Sequence, residues 1–253
     1  MIKRSLIISS VLVIFSVAAI SFTPSKGSNV SNENKITEIS PAEATLTDTQ
    51  VIYKALEKEN AAAMPSEEAF TLAMKGFDNL KSLPGKVKKD ILTVVDFSLP
   101  STEKRLWVID LENNKVLFND WVAHGKNSGN NQAKAFSNVP NSYTSSIGFY
   151  MTAETYHGKH GLSLRLDGMD KGFNDNARRR AIVMHGADYV SGDFIQKYGR
   201  LGRSFGCPSV SMDIYEDVID TIHGGSLLFI YSPDENFVNK SSVLNSVKTK
   251  SVA

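Results

Sequence analysis

The 253 residues carry 28 Lys and Arg against 27 Asp and Glu, a net charge of +1, with 42% hydrophobic and 22% charged residues. That even balance excludes a polyanion-binding surface, and the length allows one good core with a small accessory element rather than several large domains. Nucleic acid is therefore not an expected partner: Arg178, Arg179 and Arg180 form a local basic cluster, but no aromatic or basic stripe surrounds it and it reads as a solvated turn.

Residues 1–22 place Lys3-Arg4 before an apolar stretch from Leu6 to Phe22, the order of a secretory signal, with Val17 and Ala19 as small residues before a cleavage site. The alternative is an uncleaved anchor of about 17 residues, which would be the only membrane contact. Either way the chain is expected to be exported, to the periplasm or cell envelope. No cysteine stands near that site, so lipid attachment to a cysteine there is excluded. Residues 23–45 are dominated by Ser, Asn, Thr, Lys and Glu and read as a flexible spacer.

A helical accessory segment is expected over 46–85. Thr47 and Gln50 stand three apart before Ile52, Ala55 and Leu56, a capping box opening a short amphipathic helix. Pro65-Ser66-Glu67-Glu68 gives a cap and acidic first turn to a second helix, with Phe70, Ala73, Met74, Phe77 and Leu80 on one face and a stop at Pro84-Gly85. Residues 86–233 are mainly β. Strands are expected at Ile91 to Phe97, Leu106 to Asp110, Val116 to Val122, Ile147 to Thr152, Leu162 to Leu166, Ala181 to Met184 and Leu227 to Tyr231. One helix interrupts them, from a Ser211 cap to a Gly224 stop. The Ser- and Lys-rich residues 234–253 read as a disordered tail.

Cys207 is the only cysteine, in Arg203-Ser204-Phe205-Gly206-Cys207-Pro208-Ser209. An unpaired thiol in an exported chain belongs to no internal disulfide, so its reactivity needs an explanation. A free thiol with a pKa of about 8.5 is mostly protonated near neutrality and needs a base. His185, followed by Gly186 at the end of an apolar run, is the favoured base, and the glycine-rich residues up to Cys207 can fold the ring back to the sulfur. His124, in Val122-Ala123-His124-Gly125, is its closest rival; His157 and His160 lie in a loop from Tyr156 to Gly161, and His223 suits a helix C-terminus. The N–H groups of Gly206 and Cys207 could form an oxyanion hole, since Pro208 has no N–H to offer. The plain alternative is an inert cysteine in a Gly-Pro turn.

His-Gly, a spacer and then Ser-x-Gly-Cys resembles the signature of the L,D-transpeptidases of bacterial peptidoglycan, of the YkuD type, over roughly Thr47 to Pro233. The resemblance implies a β-sandwich or barrel catalytic domain. It implies Cys207 as nucleophile on stem peptides, His185 as the group that takes and returns the proton, and the Gly186 carbonyl orienting the ring. Arg203, Ser204, His124 and Tyr156 are the expected substrate contacts. One position departs from the pattern: better-known members carry an arginine two residues after the cysteine, where this chain has Ser209, leaving the positive charge to Arg203 or Arg200. No cofactor or metal is required, and His185, His124 and Asp188 lack zinc-type spacing. The competing readings are another cell-wall cysteine peptidase, disfavoured because histidine precedes cysteine here, and a non-catalytic wall-binding protein on the same fold.

Overall fold

The computed structural model describes residues 47–59 and 64–246; the signal-like segment and the spacer lie outside the described residues. In chain order the elements are α1 (Asp48–Glu59), α2 (Glu67–Lys81), β1 (Ile91–Asp96), β2 (Leu106–Asp110), β3 (Lys115–Asp120), β4 (Val122–Ala123), β5 (Gly148–Gly158), β6 (Gly161–Gly168), β7 (Val183–Gly186), α3 (Gly192–Tyr198), β8 (Ser209–Val210), α4 (Tyr215–Ile222), β9 (Leu227–Tyr231) and α5 (Glu235–Lys240). No described helix is long and apolar enough to cross a membrane.

The two expected caps form. Gln50 N–H donates to Thr47 Oγ1 at 3.3 Å while Thr47 N–H donates to Gln50 Oε1 at 3.0 Å. Ser66 Oγ accepts from Ala69 N–H at 3.3 Å and donates to Asp96 Oδ2 at 2.9 Å, so the cap of α2 also ties it to the end of β1. Gly76 lies against Phe149, where a Cβ would stand 2.2 Å from the ring, which explains a glycine in mid-helix. Phe70, Ala73, Met74, Phe77 and Leu80 join one apolar core with the strands, so α2 is a layer of that core rather than an appendage.

All nine strands form one sheet in the order β3-β2-β1-β9-β5-β6-β7-β8-β4. The β1–β9 and β7–β8 pairs are parallel and the others antiparallel. β3 and β4 occupy opposite ends of that order, yet only Trp121 separates them in the chain. The sheet therefore curls until its edges are neighbours, giving a nearly closed, mostly β barrel with few helices. Arg105, fully buried, bolts the seam: Nε and Nη2 donate to Val122 O at 3.0 and 2.8 Å, Nη1 to Leu99 O at 2.9 Å, and Nη2 to His124 Nδ1 at 2.9 Å. Its guanidinium lies 4.8 Å from the centroid of the Phe97 ring.

Two expectations are corrected. The apolar run after Arg180 pairs as Val183–Gly186 rather than Ala181 to Met184, because Ala181 sits at φ +53° and closes a succession of turns; His185 is consequently inside a strand, not beyond one. Residues 235–246 pack on the fold, and the rest of the expected tail lies outside the described residues. Asp234 Oδ1 caps α5 by accepting from Phe237 N–H at 2.9 Å, and Phe237, Val243 and Leu244 are buried. Asp170 anchors the segment, accepting from Ser241 Oγ at 2.5 Å and from Val243 N–H at 3.2 Å. A polar composition concealed three apolar anchors, Phe237 and the pair Val243 and Leu244.

Phe237→Ala is expected to destabilise the protein by about 3–5 kcal/mol, read from the urea midpoint, since Phe237 packs against the stacked pair Phe149 and Phe229. A loss below about 0.5 kcal/mol would mean that the segment does not belong to the core. Burial, and then the Arg105 charge, hold the His124 imidazole down to about 4. The unfolded chain, at about 6.5, takes up that proton first as pH falls, so stability is present above about 6.5 and is lost down to about 4, by roughly 3 kcal/mol. Urea midpoints at pH 7 and pH 4.5 should therefore fall less in His124→Gln than in wild type; equal falls would contradict the assignment.

Candidate active site

The parallel pairing of β7 with β8 sets His185 opposite Ser209 and Gly186 opposite Val210, and β8 is held on its other side by β4. Cys207 stands two residues before β8, so this pairing brings its loop to the end of β7 that carries His185. Cys207 and His185 thus open into one cleft of about 440 Å³. The cysteine loop is stitched down by Ser204 N–H to His124 O at 3.0 Å and Lys126 N–H to Ser204 O at 2.8 Å. Ser204 Oγ then closes it, accepting from Gly206 N–H at 3.0 Å and donating to Cys207 O at 2.6 Å.

That closure corrects two assignments. Gly206 N–H is engaged by Ser204 and is not free to stabilise an oxyanion, whereas Cys207 N–H makes no hydrogen bond among the described residues. Ser204 borders the cleft, but its hydroxyl shapes the loop instead of facing substrate. Glycine at 206 is needed for φ +123°, and a Cβ would stand 2.6 Å from Thr144 O.

Cys207 is half-buried. Burial pushes its thiol up, partly offset by the Val183 N–H and the charge of Arg180, and Sγ lies 3.7 Å from Ala181 O. His185 Nδ1 is 2.8 Å from Gly186 O; a carbonyl accepts, so Nδ1 carries the proton and Nε2 has a bare lone pair. Nε2 accepts from Ser209 Oγ at 3.0 Å, and Ser209 Oγ in turn accepts from Tyr189 OH at 3.1 Å. Burial, aided by His160 and opposed by the Gly186 carbonyl, holds the imidazole below the usual histidine range. The His160 ring stacks on it, centroids 4.4 Å apart and planes at 22°. Both shifts favour the neutral forms of thiol and imidazole, and the acceptor nitrogen rests on Ser209 rather than on sulfur.

His124 is the third named residue to be corrected. It is fully buried, with Nδ1 on Arg105 and Nε2 3.4 Å from Gly129 O, so it holds the seam and is neither a substrate contact nor a base for Cys207. Arg203 borders the cleft while donating to Gly129 O at 3.0 Å, and Tyr156 borders it with the Arg165 guanidinium 4.5 Å from its ring centroid. Arg200 does not line the cleft; it donates to Leu201 O at 2.7 Å. Asn174 is buried and bound to Phe149 O at 2.9 Å.

Sequence reasoning missed Arg180 and Tyr189; it set His160 in the loop Tyr156 to Gly161 but gave it no contact with His185. Arg180, read as part of a solvated turn, lines the cleft; Arg178, two residues away, faces outward onto Glu154 and Asp167. Tyr189 and His160 enter through contacts that only the folded chain reveals. Among the described residues no group of three or more His, Cys, Asp or Glu side chains could hold a metal ion.

Residues 61–231 match the model of the L,D-transpeptidase catalytic domain. Solved structures with a similar fold include an L,D-transpeptidase from Mycobacterium smegmatis, 13% identical over 56% of this chain and 59% of that one, with a TM-score of 0.35. A second is residues 123–326 of the L,D-transpeptidase from Xylanimonas cellulosilytica, 13% identical over 74% and 94%, with a TM-score of 0.34. A third is the helical cell shape determining protein Pgp2 from Campylobacter jejuni, 12% identical over 65% and 57%, with a TM-score of 0.36. The chain spans about three fifths of the first of these. No curated protein matches. With the family model covering 61–231 of 253 residues, the chain belongs to the L,D-transpeptidase catalytic-domain family.

Proposed function

We propose that the protein is a peptidoglycan L,D-transpeptidase or L,D-carboxypeptidase that works through a Cys207 acyl-enzyme on stem tetrapeptides, after export to the periplasm or cell envelope. The observation that carries this reading is the placement of Cys207 and His185 in one cleft, with Gly186 O fixing the proton on Nδ1 so that Nε2 is left as a base.

The thiol proton passes to His185 Nε2 as Ser209 releases it, and Sγ bonds to the carbonyl carbon of the third-position diamino acid. Cys207 N–H is the backbone donor in reach of the developing oxyanion. The tetrahedral adduct collapses with cleavage of the C–N bond, and the imidazolium returns its proton to the departing D-alanine amine. A thioester remains. An acceptor amine, or water, then attacks it; His185 takes the acceptor's proton and passes it to the leaving thiolate. An amine gives a cross-link and water gives a tripeptide.

Incubation of the full chain with a defined tetrapeptide stem, followed by intact mass and product analysis, tests this directly. Wild type should show the thioester and release D-alanine; a carbapenem should leave a covalent adduct on Cys207. Folded protein with neither adduct nor product would instead favour a wall-binding role. Cys207→Ala should abolish acylation and leave stability nearly unchanged, and His185→Ala should slow acylation by ~10²–10⁴-fold. Ser209→Ala should alter the pH dependence of acylation while the protein stays folded, because it removes the donor to Nε2; an unchanged profile would remove Ser209 from the site.

A further inference from the structure

We propose that Arg180 is the fixed cation that stabilises the Cys207 thiolate, an inference that rests on the reading above only in taking Cys207 as the nucleophile. The guanidinium is half-buried, and every partner it has is neutral: Ser137 O at 2.6 Å, Thr144 O at 2.7 Å, Ser142 Oγ at 3.2 Å, and Ser146 Oγ. Such partners hold the group rigidly without cancelling its charge. Arg178 is the contrast, neutralised by two carboxylates at the surface.

Position supports the same role. Arg180 Nη2 lies 3.3 Å from where a Cβ on Gly206 would stand, so the charge abuts the residue before the nucleophile. The other charged or titratable groups bordering the cleft are His185 from β7, Lys159 and His160 from the β5–β6 turn, Tyr156 from β5, Tyr189 before α3 and Arg203 from the cysteine loop. None is a carboxylate, so nothing lining the cleft opposes a cation there. Lys159 lies on an exposed turn, and Arg203 is partly turned to the carbonyls of Lys126 and Gly129; Arg180 alone combines immobility, partial burial and contact with the Gly206 segment. Position 209 carries no charge and its hydroxyl is committed to His185. When the thiol proton moves to His185 Nε2, the resulting thiolate finds a positive charge already in place, and the same charge favours the thiolate as it leaves the thioester.

The test is the pH dependence of Cys207 alkylation by iodoacetamide, followed by intact mass, in wild type, Arg180→Gln and Arg180→Lys. Loss of a cation near a thiolate should raise the midpoint by about one pK unit in Arg180→Gln, cutting the rate at pH 7 roughly tenfold while the high-pH plateau is kept. Arg180→Lys should keep the wild-type midpoint. An unmoved midpoint in Arg180→Gln, or a rise in Arg180→Lys as large as in Arg180→Gln, overturns the proposal. If Arg180→Gln fails to fold, Arg180→Met takes its place: a midpoint above that of Arg180→Lys supports the proposal and one equal to it overturns it. Tetrapeptide turnover measured alongside separates the two readings, since alkylation needs no turnover: inactive wild type with the shift leaves Arg180 in place and removes the peptidoglycan function, and active wild type without it does the reverse.

Discussion

The site depends on β8, a strand of two residues held between β7 and β4. Alone, so short a strand has too few ladder bonds to stay in place. It is held because β4 is fixed by the Arg105 guanidinium on Val122 O, and because β7 is paired on its far side with β6. A buried arginine with all its bonds to neutral acceptors is costly to desolvate, yet breaking it would leave carbonyls and a charge stranded in the core. The seam of the barrel and the register of β7 and β8 are therefore one structural problem, solved at a distance from the sulfur.

That arrangement explains why two histidines in similar local sequence have different fates. His124 and His185 each precede a glycine after an apolar pair. His124 meets Arg105, whose N–H must donate to Nδ1, and this commits the ring to a neutral, buried, structural state. His185 meets a carbonyl at Nδ1 instead, which leaves its other nitrogen as an acceptor facing the cleft. The distinction lies in the polarity of the partner, which comes from a segment remote in sequence in one case and from the next residue in the other.

The same division between local and remote information marks what was legible in the sequence. The Thr47 and Ser66 caps and the β-rich region follow from residues within a few positions of one another, and the structure places each where those residues direct; Cys207 and His185 were singled out by the same local reading and line one cleft. Arg180 was not legible, because its neighbour Arg178 has the same chemistry and only the turn before β7 decides which guanidinium faces inward. Ser204 was misread because a hydroxyl two residues before a glycine at positive φ is drawn to that glycine's N–H, a local bond that competes with any role toward substrate. The ordered C-terminal segment escaped because Phe237, Val243 and Leu244 follow no single helical or strand period; their common partners are residues of the sheet and of the turn at Asp170.

Under the proposed acyl-enzyme mechanism, a neutral thiol and a neutral imidazole lining one cleft set how the chemistry begins. An ion pair already formed in a half-buried cleft would have to be kept desolvated at a standing cost, whereas a neutral pair leaves charge separation to the moment of attack. The Ser209 hydroxyl on Nε2 adds a barrier of its own, on the order of the ~1 kcal/mol that one such hydrogen bond contributes net, small beside the ~3–5 kcal/mol that general-base catalysis supplies. Releasing that bond is thus a modest gate on the base. Tyr189 completes the logic: by donating to Ser209 it leaves the serine proton directed at the imidazole, so the rotamer of one hydroxyl sets whether the base is occupied or free to take the thiol proton.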